Sequence, residues 1–276
     1  MTTILGIDAA WTAGQPSGVA LIGQRHGAWI CIAVAPSYPA FIALSRGQPV
    51  NWAAKPTGGT PDPITLLSAA RTLAGTEVNL VTIDMPISTA PITCRRASDD
   101  AVSREFGGRG CSTHTPGTAR PGILGAELSA GFTRRGYPIA TITTRPGIPN
   151  RLLEVYPHTA LLALLHRPSR VPYKASNSSK YWPGTSIPQR IARLTAEFAR
   201  IHQALTATMG TLPLVLPPPE GVSQLSTLKR YEDALDALVC CWVGMLYMDG
   251  AAIPMGDAES AIWCPASVVR PGNGKL

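Results

Sequence analysis

Charge is scarce in this chain: Asp, Glu, Lys and Arg make up 15% of its 276 residues, against about a quarter in an ordinary globular protein. No run of Lys or Arg exceeds two residues, so there is no basic tail. The six cysteines, Cys31, Cys94, Cys111, Cys240, Cys241 and Cys264, form no C-x-x-C pair, which argues against a zinc ribbon. Cys240 and Cys241 sit in an apolar run and read as buried thiols. The opening MTTILGID has no basic segment leading into an apolar core, so it does not read as a signal peptide. The longest apolar run, 238–248, is too short to span a bilayer. A soluble, cytoplasmic protein is therefore expected, in which the sequon at 177–179 carries no glycan. Neither G-x-S-x-G nor G-K-[ST] occurs, which argues against a hydrolase elbow and a P-loop.

What is present fits one large domain or two small ones. Hydrophobic residues make up 45%, an ordinary share, while Gly and Pro, at 26 each, point to long defined loops rather than a helical bundle. The net charge of +7 is compatible with a polyanionic partner such as nucleic acid.

Residues 2–8 form a short apolar run ending in an acid, and read as a first strand. The runs 19–23 and 28–35 follow as two more strands, with a hairpin signal at 24–27. Short connections imply antiparallel pairing of these three. A helix is predicted at 62–74, with Asp62 as its cap and Pro63 in its first turn. A fourth strand, 78–84, again ends in an acid. The polar segment 88–122 reads as an insertion loop holding a short helix at 97–106. Further elements are a helix at 124–135, strands at 139–143 and 152–156, and a helix at 159–165. A mobile loop is expected at about 168–188, then helices at 187–207 and 227–247, the last mostly apolar and hence buried on most sides. The expected organisation is a single domain over 1–250 with a fraying C-terminal tail over 251–276. The fold class is α/β, with a mixed sheet: a three-stranded antiparallel start followed by parallel strands joined through helices.

Four acids stand out by placement. Asp8 and Asp84 end apolar strands, and ligands bind at that end of an open α/β sheet. If the two strands are parallel neighbours, the carboxylates lie side by side, and so close a pair needs a cation or a proton. Asp233 and Asp236, three apart, share one face of an otherwise apolar helix, where an unpaired aspartate is costly. Taken singly, a strand-ending Asp is commonly a turn residue and an Asp near a helix start a cap. The conjunction of all four is rarer and predicts one shared metal site. Oxygen donors without His or Cys favour Mg²⁺ or Mn²⁺. Two such ions about 4 Å apart suit phosphodiester cleavage.

The segments G-I-D-A-A-W at 6–11, V-T-I-D-M-P at 81–86, E-V-Y-P-H-T-A at 154–160 and Y-E-D-A-L-D-A-L-V at 231–239 resemble those of the DUF429 family. Arg96, Asp99 or Asp100, Arg104 and Gly107 add a stretch like that family's R-x-x-D-x-x-x-R. The resemblance runs from residue 4 to about 248, and its first and last motifs are the most specific. It implies a ribonuclease H-like fold related to Holliday-junction resolvases and a predicted nuclease activity. It makes Asp8 the metal-bridging acid of the first strand, Asp84 the fourth-strand acid, and Asp233 and Asp236 the helix pair. Glu154, in a family motif, becomes a further candidate ligand. The resolvases carry a glutamate where this chain has Asp84, which alters ligand reach.

Arg95, Arg96, Arg104 and Arg109 follow Asp84 closely and could hold phosphates. Lys174, Lys180, Tyr181 and Trp182 interleave base and aromatic in a way that suits single-stranded nucleic acid. His114 and His158 are possible proton carriers, although each is more commonly structural. The leading expectation is a metal-dependent nuclease acting on DNA or RNA. The rivals are a non-catalytic nucleic-acid-binding or scaffold protein and an actin-like or sugar-kinase-type ATPase, which needs a second D-x-G strand-turn that this chain lacks.

Overall fold

A computed structural model of the chain describes residues 1–60 and 62–269. The three opening strands are β1 (Thr3–Asp8), β2 (Gly18–Arg25) and β3 (Ala28–Ala35), paired antiparallel in sequence. The β2–β3 turn places His26 and Gly27 at φ of 50° and 81°, the left-handed pair that matches strand twist in a two-residue hairpin. Helix α1 (Tyr38–Ser45) follows, then α2 (Pro63–Ala74), which Asp62 caps by accepting from the Ile64 and Thr65 amides. Strand β4 (Leu80–Ile83) lies parallel to β1, with Ile7 opposite Ile83. Next come α3 (Ala97–Phe106), α4 (Ile123–Thr133), β5 (Arg151–Val155) and α5 (Pro157–Leu164). The chain then runs through a 3₁₀ turn (Ala175–Asn177), α6 (Ser178–Tyr181), α7 (Ile187–Met209) and α8 (Leu225–Met248). It returns as β6 (Ala252–Gly256) and β7 (Ala261–Pro265).

The seven strands form one mixed sheet in the order β3-β2-β1-β4-β5-β7-β6, with β1, β4, β5 and β7 parallel. Side chains alternate across it. Ile4, Ala20 and Ile22 face a core shared with α5, α7 and α8, while Leu5, Val19 and Leu21 face one shared with α1, α2 and α4. The result is three layers, with the sheet between two helical layers.

Glycines set how near α8 comes to the sheet. A Cβ on Gly18 would lie 2.0 Å from the Asp233 carbonyl oxygen, and one on Gly6 would lie 2.3 Å from that of Ala237. Helix and strands therefore touch backbone to backbone. Since Gly18 pairs with Asp8, this contact sets the N-terminal third of α8 beside the carboxyl end of β1.

Four expectations are corrected. Residues 139–143 make only an isolated bridge, Ile139 to Leu152. Thr144 Oγ1 accepts from the Thr141 amide and curls the segment into a turn. Helix α1 was not anticipated, because its apolar residues show no helical period; Ser37 caps it. Where a loop was expected at 168–188, the 3₁₀ turn and α6 form, and Val171, Tyr173 and Ala175 are buried among residues of α8. Residues 252–265 are not a fraying tail but two strands, and β7 fills the slot between β5 and β6. The rest of the expected tail, 270–276, lies outside the described residues.

Candidate active site

The parallel register sets Asp8 and Asp84 together at the carboxyl edge of β1 and β4, where the Asp84 amide donates to the Ile7 carbonyl. No side-chain hydrogen bond among the described residues reaches either carboxylate. Both line a cleft of about 530 Å³ together with Asp233, Lys174, Lys229 and Arg120. Burial holds the Asp84 carboxyl well above the usual carboxylate range, and the negative charges of Asp8 and Asp236 add to it.

Helix α8 carries three acids into the protein: Glu232, Asp233 and Asp236 are all at most 2% exposed. Two lysines meet them. Lys229, on the same helix, pairs with Asp233 and with Glu232 Oε1 at 3.0 Å. Lys174, from the segment before α6, reaches Asp236 Oδ2 at 2.5 Å and Glu232 Oε1 at 3.4 Å. Glu232 also accepts from the Ala175 amide at 2.7 Å, and Asp236 from the Tyr173 hydroxyl at 2.6 Å. The outcome differs among the three. Burial alone would raise Glu232, but its two lysines outweigh that and hold it below the usual value. Burial pushes Asp236 up to about 6 despite Lys174. Asp233 is held well above its usual range by burial, with Asp8 and Glu232 adding to it, and its Oδ2 is buried without a hydrogen-bond partner.

The structure thus gathers Asp8, Asp84, Asp233 and Asp236 into one electrostatic neighbourhood. The donor set is entirely oxygen: Asp8 and Asp84 line the cleft and Asp233 Oδ2 is buried without a hydrogen-bond partner, a donor chemistry that suits a hard divalent ion. Among the described residues, however, no three His, Cys, Asp or Glu side chains stand grouped as a ready metal site. The two lysines occupy Asp236, Glu232 and one oxygen of Asp233.

Several expected residues have other duties. Glu154 is not a free ligand. Both its oxygens accept from Arg96, at 2.6 and 2.7 Å, and one also accepts from the Ile87 amide. Arg96, buried and bonded to both oxygens of Asp99 as well, cannot reach a substrate. Arg95 is spent on Asp100, Ser103 and nearby backbone, and Arg109 on the carbonyls of Arg167, Pro168 and Val268. Arg104 is exposed on α3 and does not line the cleft. His158 is buried, and burial with nearby Lys174 and Arg170 keeps it well below the usual histidine range; its Nε2 accepts from Arg170 at 2.7 Å. That removes it as a proton carrier near neutral pH. Of these cations, Lys174 lines the cleft.

Sequence reasoning missed Glu232, Tyr173 and Arg120. Glu232 was legible, since it lies four residues before Asp236 and hence on the same helix face. Arg120, over the Trp11 ring at 5.7 Å, gave no local signal.

Comparison with known proteins places one family over the chain. The model of a protein of unknown function, DUF429, matches residues 6–260. No curated protein and no solved structure matches it.

Proposed function

The chain belongs to the DUF429 family, and from that premise we propose that it is a metal-dependent nuclease hydrolysing phosphodiester bonds on a ribonuclease H-like scaffold. The antiparallel three-stranded start, continued by parallel strands with an acid at the ends of β1 and β4, supports the scaffold. One observation carries the activity: two unbonded carboxylates, Asp8 and Asp84, share a cleft with a buried aspartate that has a free oxygen. Crowded negative charge without a partner marks a functional site more than a structural one.

Asp8, Asp84 and Asp233 are the residues to hold Mg²⁺ or Mn²⁺. A bound ion supplies an acidified water and neutralises charge on the phosphate. Lys174 and Arg120 line the cleft and orient the phosphate, while Lys229 is held by Glu232 and Asp233. Asp236 and Tyr173 act one layer deeper: Asp236 fixes the Lys174 ammonium, and Tyr173 fixes Asp236.

A second reading, a non-catalytic nucleic-acid-binding protein, draws on the lysines, which neutralise much of the acidic face of α8 without any ion. Incubating the protein with labelled branched DNA, single-stranded DNA and RNA in Mg²⁺ or Mn²⁺ separates the two. Metal-dependent cleavage that Asp8→Asn abolishes is expected. Binding without cleavage of any of these in either metal sinks the nuclease and leaves the second reading.

A further inference from the structure

Beside the acidic cleft lies a second cavity, of about 560 Å³, which shares Gln15, Pro16 and Lys229 with it. Its charge has the opposite character. Lys55, Arg190, Lys229 and Arg230 line it, and no carboxylate does. Lys229 is neutralised by Glu232 and Asp233. The other three have no ion pair among the described residues. Arg230, 8% exposed, donates only to the carbonyls of Trp52, Ala53 and Ala54 and leaves its Nε buried without a partner. Arg190 likewise has a buried, unpartnered Nε. A buried guanidinium without a counter-charge, as at Arg230, is costly unless an anion meets it.

The same cavity receives the first turn of α8, through Leu225 and Ser226. This 24-residue helix has no side-chain cap and no acid in its first turn. Its free amides and the positive end of its dipole therefore add to the three cations. The remaining walls, including Pro16, Pro56 and Leu225, are largely apolar. At helical rise, Ser226 stands only about 10 Å along the axis from Asp233, a span that a strand of nucleic acid bridges within a nucleotide or two.

We propose that this cavity binds a phosphate group of a nucleic-acid strand, flanking the phosphodiester held in the acidic cleft, with the attached nucleoside against the apolar walls. The proposal rests on the nuclease reading for the neighbouring phosphate, but the anion site is testable apart from catalysis. The geometry selects a single strand or a strand end, because a half-open pocket of about 560 Å³ takes one nucleotide at a time and not the face of a duplex.

The test is binding in EDTA, where no cleavage occurs. A 5′-phosphorylated pentanucleotide, inorganic phosphate and a blunt duplex are titrated against the protein, its Lys55→Ala/Arg190→Ala double variant, and Arg134→Ala as a control across the sheet. The pentanucleotide is expected to bind the double variant about tenfold more weakly, with a shallower salt dependence. Arg134→Ala should bind as the unaltered protein does, and the duplex should bind more weakly than the single strand. Equal binding of the pentanucleotide by the double variant and the unaltered protein, with both melting alike, overturns the proposal. So does binding of inorganic phosphate without binding of the pentanucleotide. Strand binding that depends on Lys55 and Arg190, but without cleavage when Mg²⁺ or Mn²⁺ is restored, upholds the anion site and sinks the nuclease. Cleavage that the double substitution leaves untouched, in rate and in half-saturating strand concentration, does the reverse.

Discussion

Two groups of acids lie at the carboxyl edge of the same sheet, and they are built in opposite ways. At the end of β5, Glu154 and Asp99 close on Arg96, which gives each a two-pronged pair of hydrogen bonds. At the ends of β1 and β4, Asp8 and Asp84 face each other without a side-chain hydrogen bond, and Asp233 leaves one oxygen orphaned. The first group is balanced internally and fixes the loop after β4 to the strand beside it. The second is held in deficit by the close seating of α8 at Gly18 and Gly6. Burial and charge alone do not distinguish the two groups. What separates them is whether the counter-charge is already inside the protein.

The comparison breaks most visibly at Arg96. Arg96→Ala strands Glu154 and Asp99 without a partner and should cost about 3–5 kcal/mol, read as a lower midpoint in urea unfolding. A loss under 1 kcal/mol would mean that the closed group is not balanced by that side chain. The open group should respond to what is added rather than removed. Mn²⁺ at a hundred times its dissociation constant is expected to stabilise the protein by about 2.7 kcal/mol. The effect should grow with pH. Burial pushes the Asp236 carboxyl up to about 6 in the fold, so stability is expected to fall as pH climbs from the ordinary carboxylate range through about 6. Asp84 and Asp233 are shifted in the same direction. A cation offsets that loss only where the carboxylates are ionised. A larger melting shift with Mn²⁺ at pH 7.5 than at pH 5 is the expected outcome, and an equal or smaller one would count against these ligands.

The open group was more legible in the sequence than the closed one. Strand-ending Asp8 and Asp84, and the three-residue spacing of Asp233 and Asp236, are local patterns that parallel pairing and helical period turn into proximity. The opening strands, α2, α3, α7 and α8 were legible for the same reason. Arg96 and Glu154 are 58 residues apart, and nothing near either says that they pair. Lys174 was visible as a basic residue, but its role as counter-ion to Asp236 depends on a contact 62 residues away. The C-terminal strands failed differently. β6 and β7 are five residues each, and Pro254 and Gly256 in β6 and Pro265 in β7 disfavour a strand reading; they exist because β5 offers an unpaired edge to β7.

A smaller effect tests the seating itself. Gly18→Ala puts a methyl against the Asp233 carbonyl and should cost about 1–3 kcal/mol as α8 lifts from β2. If the open group depends on that seating, the Mn²⁺ shift should shrink along with stability. A variant that loses stability but keeps the full Mn²⁺ shift would show that the helix can retreat without taking its aspartates away.

The smallest expected change has the opposite sign. Asp84→Asn removes one of two facing carboxylates at nearly constant shape, in a place where burial and Asp8 already penalise the charge. A residue kept for its fit should lose stability when altered, as is expected of Arg96. A residue kept for function against its own surroundings should gain, here on the order of 1 kcal/mol at pH 7.5. The gain should fade toward pH 4, where Asp84 carries a proton and already resembles the amide. Urea unfolding of both proteins at the two pH values measures this directly. A destabilised Asp84→Asn at pH 7.5 would mean that the carboxylate is satisfied after all, and the contrast between the two acidic groups would disappear.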